Sequence, residues 1–447
     1  MPAEPASGTN LLGPLSPEPA PLPGGLRRKA ASALAQAGRL GWPLVDQGIA
    51  SIGTFALTVT LARVLAPGEY GAFALLLGGL MTLHMVTSSL VFYPLSIRLA
   101  AAAEAESAAF ARTSLVLLAA LLVPAISAVG LGLLLAGHAD LILPACAYFV
   151  LWQVQEAFRR LLFAQFRFAA AVPGDVVSYL GQVAVVLALA RADRLSLASA
   201  LVAMAATSGL AAIHQAALSG VLAPAGAKRA LGATARDFWD LGSWSLANNL
   251  LAILRSQFLL WGLAALAGAG TAAFLQAGLN LVNLMNPLVI GLCNIIPQTA
   301  AQAHAGGKAR AWRAARPFAL AGAPVAVLFF LALALAPELL LALVYGSESP
   351  YRVLANPVRL LALWAITAYA TDMICSYFHG VEAARLALVV NAVGMAATLL
   401  AAVPLVAGLG LVGACIALCL AGVVRLALAW GLLGRLIASD AAEAPRG

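Results

Sequence analysis

The chain has 447 residues, of which 62% are hydrophobic and only 10% charged. A soluble domain cannot bury that much apolar surface, so the composition excludes a water-soluble globular protein and predicts an all-α integral membrane protein. The formal charge of +8 would suggest nucleic acid in a soluble chain; here its distribution reads as membrane topology, and no nucleic-acid partner is expected.

Residues 1–40 form a Pro/Ala/Gly-rich tail that ends basic, with Arg27, Arg28, Lys29 and Arg39. No apolar run follows a basic start there, so it reads as disordered rather than as a signal peptide. Twelve apolar segments follow, at 44–65, 70–97, 113–137, 139–163, 173–192, 197–219, 240–266, 271–298, 317–337, 356–380, 385–407 and 409–436. Each is near the ~20 residues that a helix needs to cross a bilayer. The expected units are an N-lobe over 41–220 with six helices, a basic linker over 221–237, a C-lobe over 238–437 with six more, and a short tail over 438–447.

With the first helix leaving the cytoplasm, 19 Lys and Arg residues fall on the cytoplasmic side of these segments. Arg98, Arg112, Arg159, Arg160, Lys308 and Arg435 are among them. Only Arg63, Arg191, Arg194, Arg352 and Arg359 fall outside. That bias predicts cytoplasmic termini. The halves also look alike at an offset of about 200 residues, with LARVLAPGEYGAF (61–73) against LAALAGAGTAAF (263–274), Pro94 against Pro297 and Pro124 against Pro324. Six helices per copy give both copies one orientation, hence a parallel repeat.

In the first segment, Gln47, Ser51, Thr54 and Thr58 share a helix face. The second offers His84, Thr87, Ser88 and Arg98 on one broad face, expected to form the N-lobe wall of a cavity. A membrane His usually makes structural hydrogen bonds, but its titration near neutral pH gives His84 a coupling role to test. Asp46, Glu156 and Asp372 are the carboxylates considered for ion coupling. Glu156 and Arg160, spaced i, i+4, predict an intrahelical ion pair, and helix capping or mouth electrostatics is the simplest reading of Asp46.

Arg255, in the seventh segment with Asn248 seven residues earlier on the same face, is the most informative charge. A cation at that depth costs at least ~2.5–3.5 kcal/mol unless paired or hydrated. Arg425 in the twelfth segment carries the same argument without a polar stripe beside it. The eighth segment bears Gln276, Asn280, Asn283, Asn294 and Gln298, with Asn286 off their line. At ~100° per residue these five fall within roughly a 60° arc of a continuous helix. Amides have no partners in lipid, so this face is expected to wall a wet central cavity, with interhelical bonding as the plainer alternative.

Three runs support a family resemblance: DQGIASIGTFALTVTLARVLAPGEYGAFAL (46–75), QEAFRRLLFAQFRFAAAVPGDVVSYLGQ (155–182) and NPLVIGLCNIIPQTAAQAHAGG (286–307). They resemble the Wzx-type polysaccharide flippases, of the superfamily that holds the MATE exporters and MurJ-type lipid II flippases. The resemblance spans most of 40–435 and implies two lobes around a V-shaped cavity, alternating access, and a bacterial inner-membrane location. Its usual cargo is an undecaprenyl-pyrophosphate-linked oligosaccharide, whose pyrophosphate would suit Arg255. Membrane lipid, a polysaccharide polymerase and chain-length proteins are the implied partners, and a monomer the expected state. The alternative is a MATE-like cation-coupled antiporter, which needs a lobe-enclosed carboxylate and an aromatic or Met-lined pocket. The five cysteines lack metal-ligand spacing, and no GxxxxGK[ST] or HExxH run occurs, so no cofactor, metal or enzymatic chemistry is expected.

Overall fold

The computed structural model describes residues 25–101, 104–221 and 230–443. The N-terminal 24 residues, residues 222–229 of the basic linker and the last four residues lie outside that set, as do the side chains of Asn248 and Arg255. Among the described residues every regular element is helical.

The helices run in chain order as α1 (Gly25–Val64), α2 (Pro67–Leu99), α3 (Glu104–Leu135), α4 (Ala139–Ala164), α5 (Phe168–Arg191) and α6 (Leu197–Ser219). Then come α7 (Leu231–Ala267), α8 (Ala269–Gly306), α9 (Lys308–Leu335) and α10 (Pro350–Gly380). The run Ala384–Glu443 leaves helical geometry at Gly410 (φ 55°, ψ −127°), which divides it into α11 (384–409) and α12 (411–443). Ten stretches of the described residues are long and apolar enough to cross a membrane.

Local sequence accounts for several ends. Pro67 stands in the first turn of α2, where its missing N–H costs nothing. Ser196 and Ser199 cap α6 reciprocally, each hydroxyl accepting from the other's backbone N–H at 3.2 and 2.8 Å. Three helices are interrupted inside the bundle. Wide π turns occupy Ser88–Phe92 in α2 and Val176–Leu180 in α5, and a tight 3-10 turn occupies Asn283–Met285 in α8.

Helices α4 and α6 pack together along their length, with α1 against α5; in the second half α10 packs against α11 and α12, and α8 against α9 and α10. The seam between halves is made chiefly by α2 on α8, and α7 touches both sides, meeting α2 and α3 as well as α8 and the last helical run. Gly71 permits the α2–α8 approach, because a Cβ there would stand 1.9 Å from the carbonyl oxygen of Ala269.

One end of the seam is plugged by aromatic residues from both halves. Tyr70 and Phe274 meet the edge or face of Tyr351 at 6.2 and 5.2 Å, and Tyr345 lies 5.1 Å from the same ring. Beside this plug Arg63 donates to the carbonyls of Val344 (2.6 Å) and Leu343 (2.9 Å). Arg63, one of the five basic residues that the sequence sets on the outer side, thereby ties the end of α1 to the short helix Pro337–Tyr345. The outer faces of the bundle are apolar, with Leu135, Leu143 and Leu400 among many exposed leucines. Such a surface is stable against lipid and not against water.

Candidate functional site

A cavity of about 490 Å³ lies between the halves, bounded by α1, α2, α4, α5, α6 and α8. Helix α1 contributes Gln47, Ser51, Thr54 and Thr58, the whole polar face seen in the sequence. Helices α5 and α6 add Ser178, Gln182 and Ser208, and an aromatic side is formed by Phe55, Tyr148, Trp152 and Tyr179. No Asp, Glu, Lys, Arg or His is among the described lining residues.

Helix α8 supplies Gln276, Asn280, Asn283 and Asn286. Gln276 donates to Asn280 at 2.9 Å, and Asn280 passes the chain on to the Tyr70 hydroxyl at 2.8 Å. The amide ladder is therefore shorter than the expected end-to-end stripe: Asn294 and Gln298 are exposed and line neither this cavity nor the second one described below. The 3-10 turn Asn283–Met285 explains the entry of Asn286: it advances ~120° per residue in place of ~100°, so three residues rotate everything beyond by about 60°. The wall then ends at Ile290, one turn short of Asn294 on the same face.

His84 is inside the N-terminal half, not on the cavity wall. It is buried, its ring 3.1–3.3 Å from the Gln153 amide and stacked 4.6 Å from Trp152. It backs an aromatic residue that does line the cavity. Thr87 donates to the same Gln153 oxygen at 2.8 Å. Arg98 likewise leaves the expected wall: both its Nε (2.8 Å) and an Nη donate to the carboxylate of Asp237 on α7, at the opposite end of the seam from Arg63.

The strongest polar feature of the N-terminal half is a buried ion cluster. Arg159 pairs with Asp46 of α1, with Glu156 at 2.9 Å and with Asp175 of α5 at 3.1 Å. Arg160 reaches Glu156 at 2.6 Å, the ion pair its spacing predicted. Gln155 and Gln215 each donate to Asp175 Oδ1 at 3.1 Å. Asp46 is 1% exposed and acts as neither cap nor mouth charge, and Arg159, counted in the sequence as a topology signal, is 8% exposed. Three carboxylates meet two guanidiniums, and Asp46 Oδ1 has no hydrogen-bond partner. The cluster touches the cavity through one relay, Ser178 donating to Gln155 Oε1 at 2.8 Å. Arg159, Asp175 and the two glutamines were missed because their contacts join four helices, α1, α4, α5 and α6; the i, i+3 spacing of Glu156 and Arg159 was the available signal.

The C-terminal half holds a second cavity of about 270 Å³ among α7–α12. Arg425, Asp372, Asn283 and Asn286 line it, so the α8 turn walls both cavities. Arg425 donates to Asn391 at 2.9 Å and to Asp372 at 3.3 Å. The polar company that the α12 sequence denied to Arg425 comes from α10 and α11. Asn248 and Arg255 sit on α7 as expected, with their side chains outside the described residues.

No protein-family model matches the sequence, and no curated protein matches it. Solved structures do. The chain is similar to the inward-facing conformation of a multidrug resistance MATE family transporter of the MOP superfamily (14% identity, 88% of this chain, 96% of that chain, TM-score 0.72). It is similar to the lipid II flippase MurJ in an inward closed conformation (10% identity, 89% and 88%, TM-score 0.70). Against an outward-facing MATE transporter of the same superfamily the score is 0.58, at 16% identity over 90% and 97%. The fold is thus that of the MATE and MurJ transporters.

Proposed function

We propose that the protein moves a lipid-linked oligosaccharide across the bacterial inner membrane by alternating access, in the manner of the Wzx-type flippases its sequence resembles. The observation that carries this reading is the cavity itself: amides, hydroxyls and aromatic faces set among aliphatic side chains such as Leu77, Met81, Met204 and Ile290, with no formal charge among the described lining. Sugars present hydroxyl edges and apolar ring faces, which such walls match group for group. Each exchange of a water hydrogen bond for one to Gln276 or Asn283 nets only about 0.5–1.5 kcal/mol, so cargo is held by many weak contacts and can leave on the far side. The termini face the cytoplasm, and the cavity opens alternately as the aromatic plug at Tyr70, Tyr345 and Tyr351 and the Arg98–Asp237 pair make and break. The protein works as a monomer beside a polymerase and chain-length proteins.

The buried carboxylates favour a second reading, a MATE-like cation-coupled antiporter. That reading needs an enclosed carboxylate and an aromatic or Met-lined pocket. Asp46, Glu156 and Asp175 are enclosed, and Tyr148, Trp152 and Tyr179 line the cavity with Met81 and Met204. In a flippase the same cluster would couple movement to an ion. Proteoliposomes with fluorescent lipid-linked oligosaccharide separate the two: the flippase reading expects protein-dependent loss of protection from an external reductant. Unchanged protection, together with ion-driven efflux of a lipophilic cation, would replace it with the antiporter.

A further inference from the structure

The second cavity has no part in the reading above. Most of its wall is apolar, including Leu259, Leu279, Val289, Phe330 and Leu418; its charged groups are Arg425 and Asp372, joined by the two asparagines shared with the cargo cavity and by Trp364, Tyr369 and Thr398. Arg425 is 6% exposed, and its Nε has no hydrogen-bond partner. Room for it is made by Gly394 of α11, where a Cβ would stand 2.2 Å from Arg425 Cδ. Its counter-ion is loosely held. The Arg425–Asp372 contact is a single one at 3.3 Å, with the Asp372 side chain 40% exposed, whereas charge-assisted pairs usually close to about 2.7–2.9 Å.

A deep guanidinium with unspent donors, a displaceable carboxylate and apolar walls together describe a site for an anionic head on an apolar chain. A metal cation would meet Arg425, a neutral lipid would leave its donors empty, and a bare inorganic anion would leave the apolar wall unfilled. We propose that this cavity binds an isoprenoid phosphate, the phosphate taking Arg425 from Asp372 while the first units of the chain lie against the apolar wall. The inference rests on the lipid-linked cargo reading and assigns the lipid-phosphate end of that cargo to the C-terminal half. Asn283 and Asn286 face both cavities, so one molecule can set its sugars on one side of the α8 turn and its phosphate on the other.

The test is calorimetric titration of farnesyl phosphate into the full chain in phosphatidylcholine nanodiscs, with empty nanodiscs subtracted. Farnesol, inorganic phosphate and a short-chain phosphatidate serve as competitors of different chemistry. Farnesyl phosphate is expected to bind saturably, the other three at least roughly tenfold more weakly. Arg425→Gln should weaken binding about tenfold or more, whereas Asp372→Asn should tighten it severalfold by removing the competing carboxylate. Opposite signs are the signature, since a purely structural ion pair would weaken in both variants or in neither. Gly394→Ala, which crowds the Arg425 stem and keeps its charge, should also weaken binding. If Arg425→Gln alone is unstable, the neutral double variant with Asp372→Asn carries the same expectation. No saturable binding, equal affinity in the Arg425 variants, weaker binding in Asp372→Asn, or a preference for phosphatidate would each overturn the site. Because the probe has no sugar, binding without oligosaccharide transport would reject the cargo reading alone, and transport undiminished in Arg425→Gln would reject this site alone.

Discussion

The two halves of the molecule each bury an arginine against carboxylate, and they do it differently. Arg159 is shared among Asp46, Glu156 and Asp175, with side-chain exposures of 10% for the arginine and at most 4% for its partners. Arg425 is equally deep at 7%, but Asp372 is 40% exposed to a cavity and touches it once, at 3.3 Å. Taking charges out of water costs several kcal/mol per ion, and only saturated geometry repays it. The N-terminal cluster has that geometry, apart from one free oxygen of Asp46. It is a closed knot that holds α1, α4 and α5 in register. The C-terminal pair is incomplete, so its arginine can change partners. Similar residues at similar depth thus form a nearly saturated cluster in one half and an unsaturated pair in the other, and the second is the one suited to the recognition proposed above.

The largest expected effect breaks the closed side of this contrast. Arg159→Met strands Asp46 and Asp175, Glu156 keeping Arg160, and should lower stability by about 3–5 kcal/mol. The readout is thermal unfolding with gel filtration of the purified protein; a change in melting temperature no larger than that of Arg425→Gln would erase the distinction. Next, Gly71→Val tests the seam on which both halves depend. Forcing a side chain into the Ala269 carbonyl should cost about 1–3 kcal/mol and drive apart spin labels placed across the α2–α8 contact, and unchanged distances would contradict the packing described. Arg425→Gln should cost about 1–2 kcal/mol, because its half-exposed partner is left in reach of water, not stranded. Smallest is Arg98→Ala. That pair is 40% and 34% exposed, so its loss should change stability least of the four, and raising salt should shrink even that.

Much of the architecture was legible in the chain because lipid imposes a single strong rule: apolar runs of membrane length become helices. Positions of the helices, the face of Gln47, Ser51, Thr54 and Thr58, and the Glu156–Arg160 pair all depend on neighbours within one helix, and helical spacing reports those directly. The amide stripe of α8 failed at its middle for a comparably local reason. A uniform 100° step cannot foresee the three-residue 3-10 turn at Asn283–Met285, which brought Asn286 onto the cavity wall, nor that the wall ends at Ile290. His84 failed for another reason. Its face was polar, but the partner that drew it inward, Gln153, is on a different helix 69 residues away.

By itself the sequence determined that this is a helical membrane protein with polar groups too numerous for lipid to accept, and roughly where along each helix they lie. Only the tertiary structure decided what those groups meet: Asp46 with Arg159 across 113 residues, Arg425 with Asp372 across 53, and Arg98 with Asp237 across 139. The physical reason is that periodicity fixes the direction a side chain takes from its own axis. Whether that direction ends in lipid, in a cavity or on an opposite charge depends on which helix stands there, and that is settled by the packing of the whole bundle.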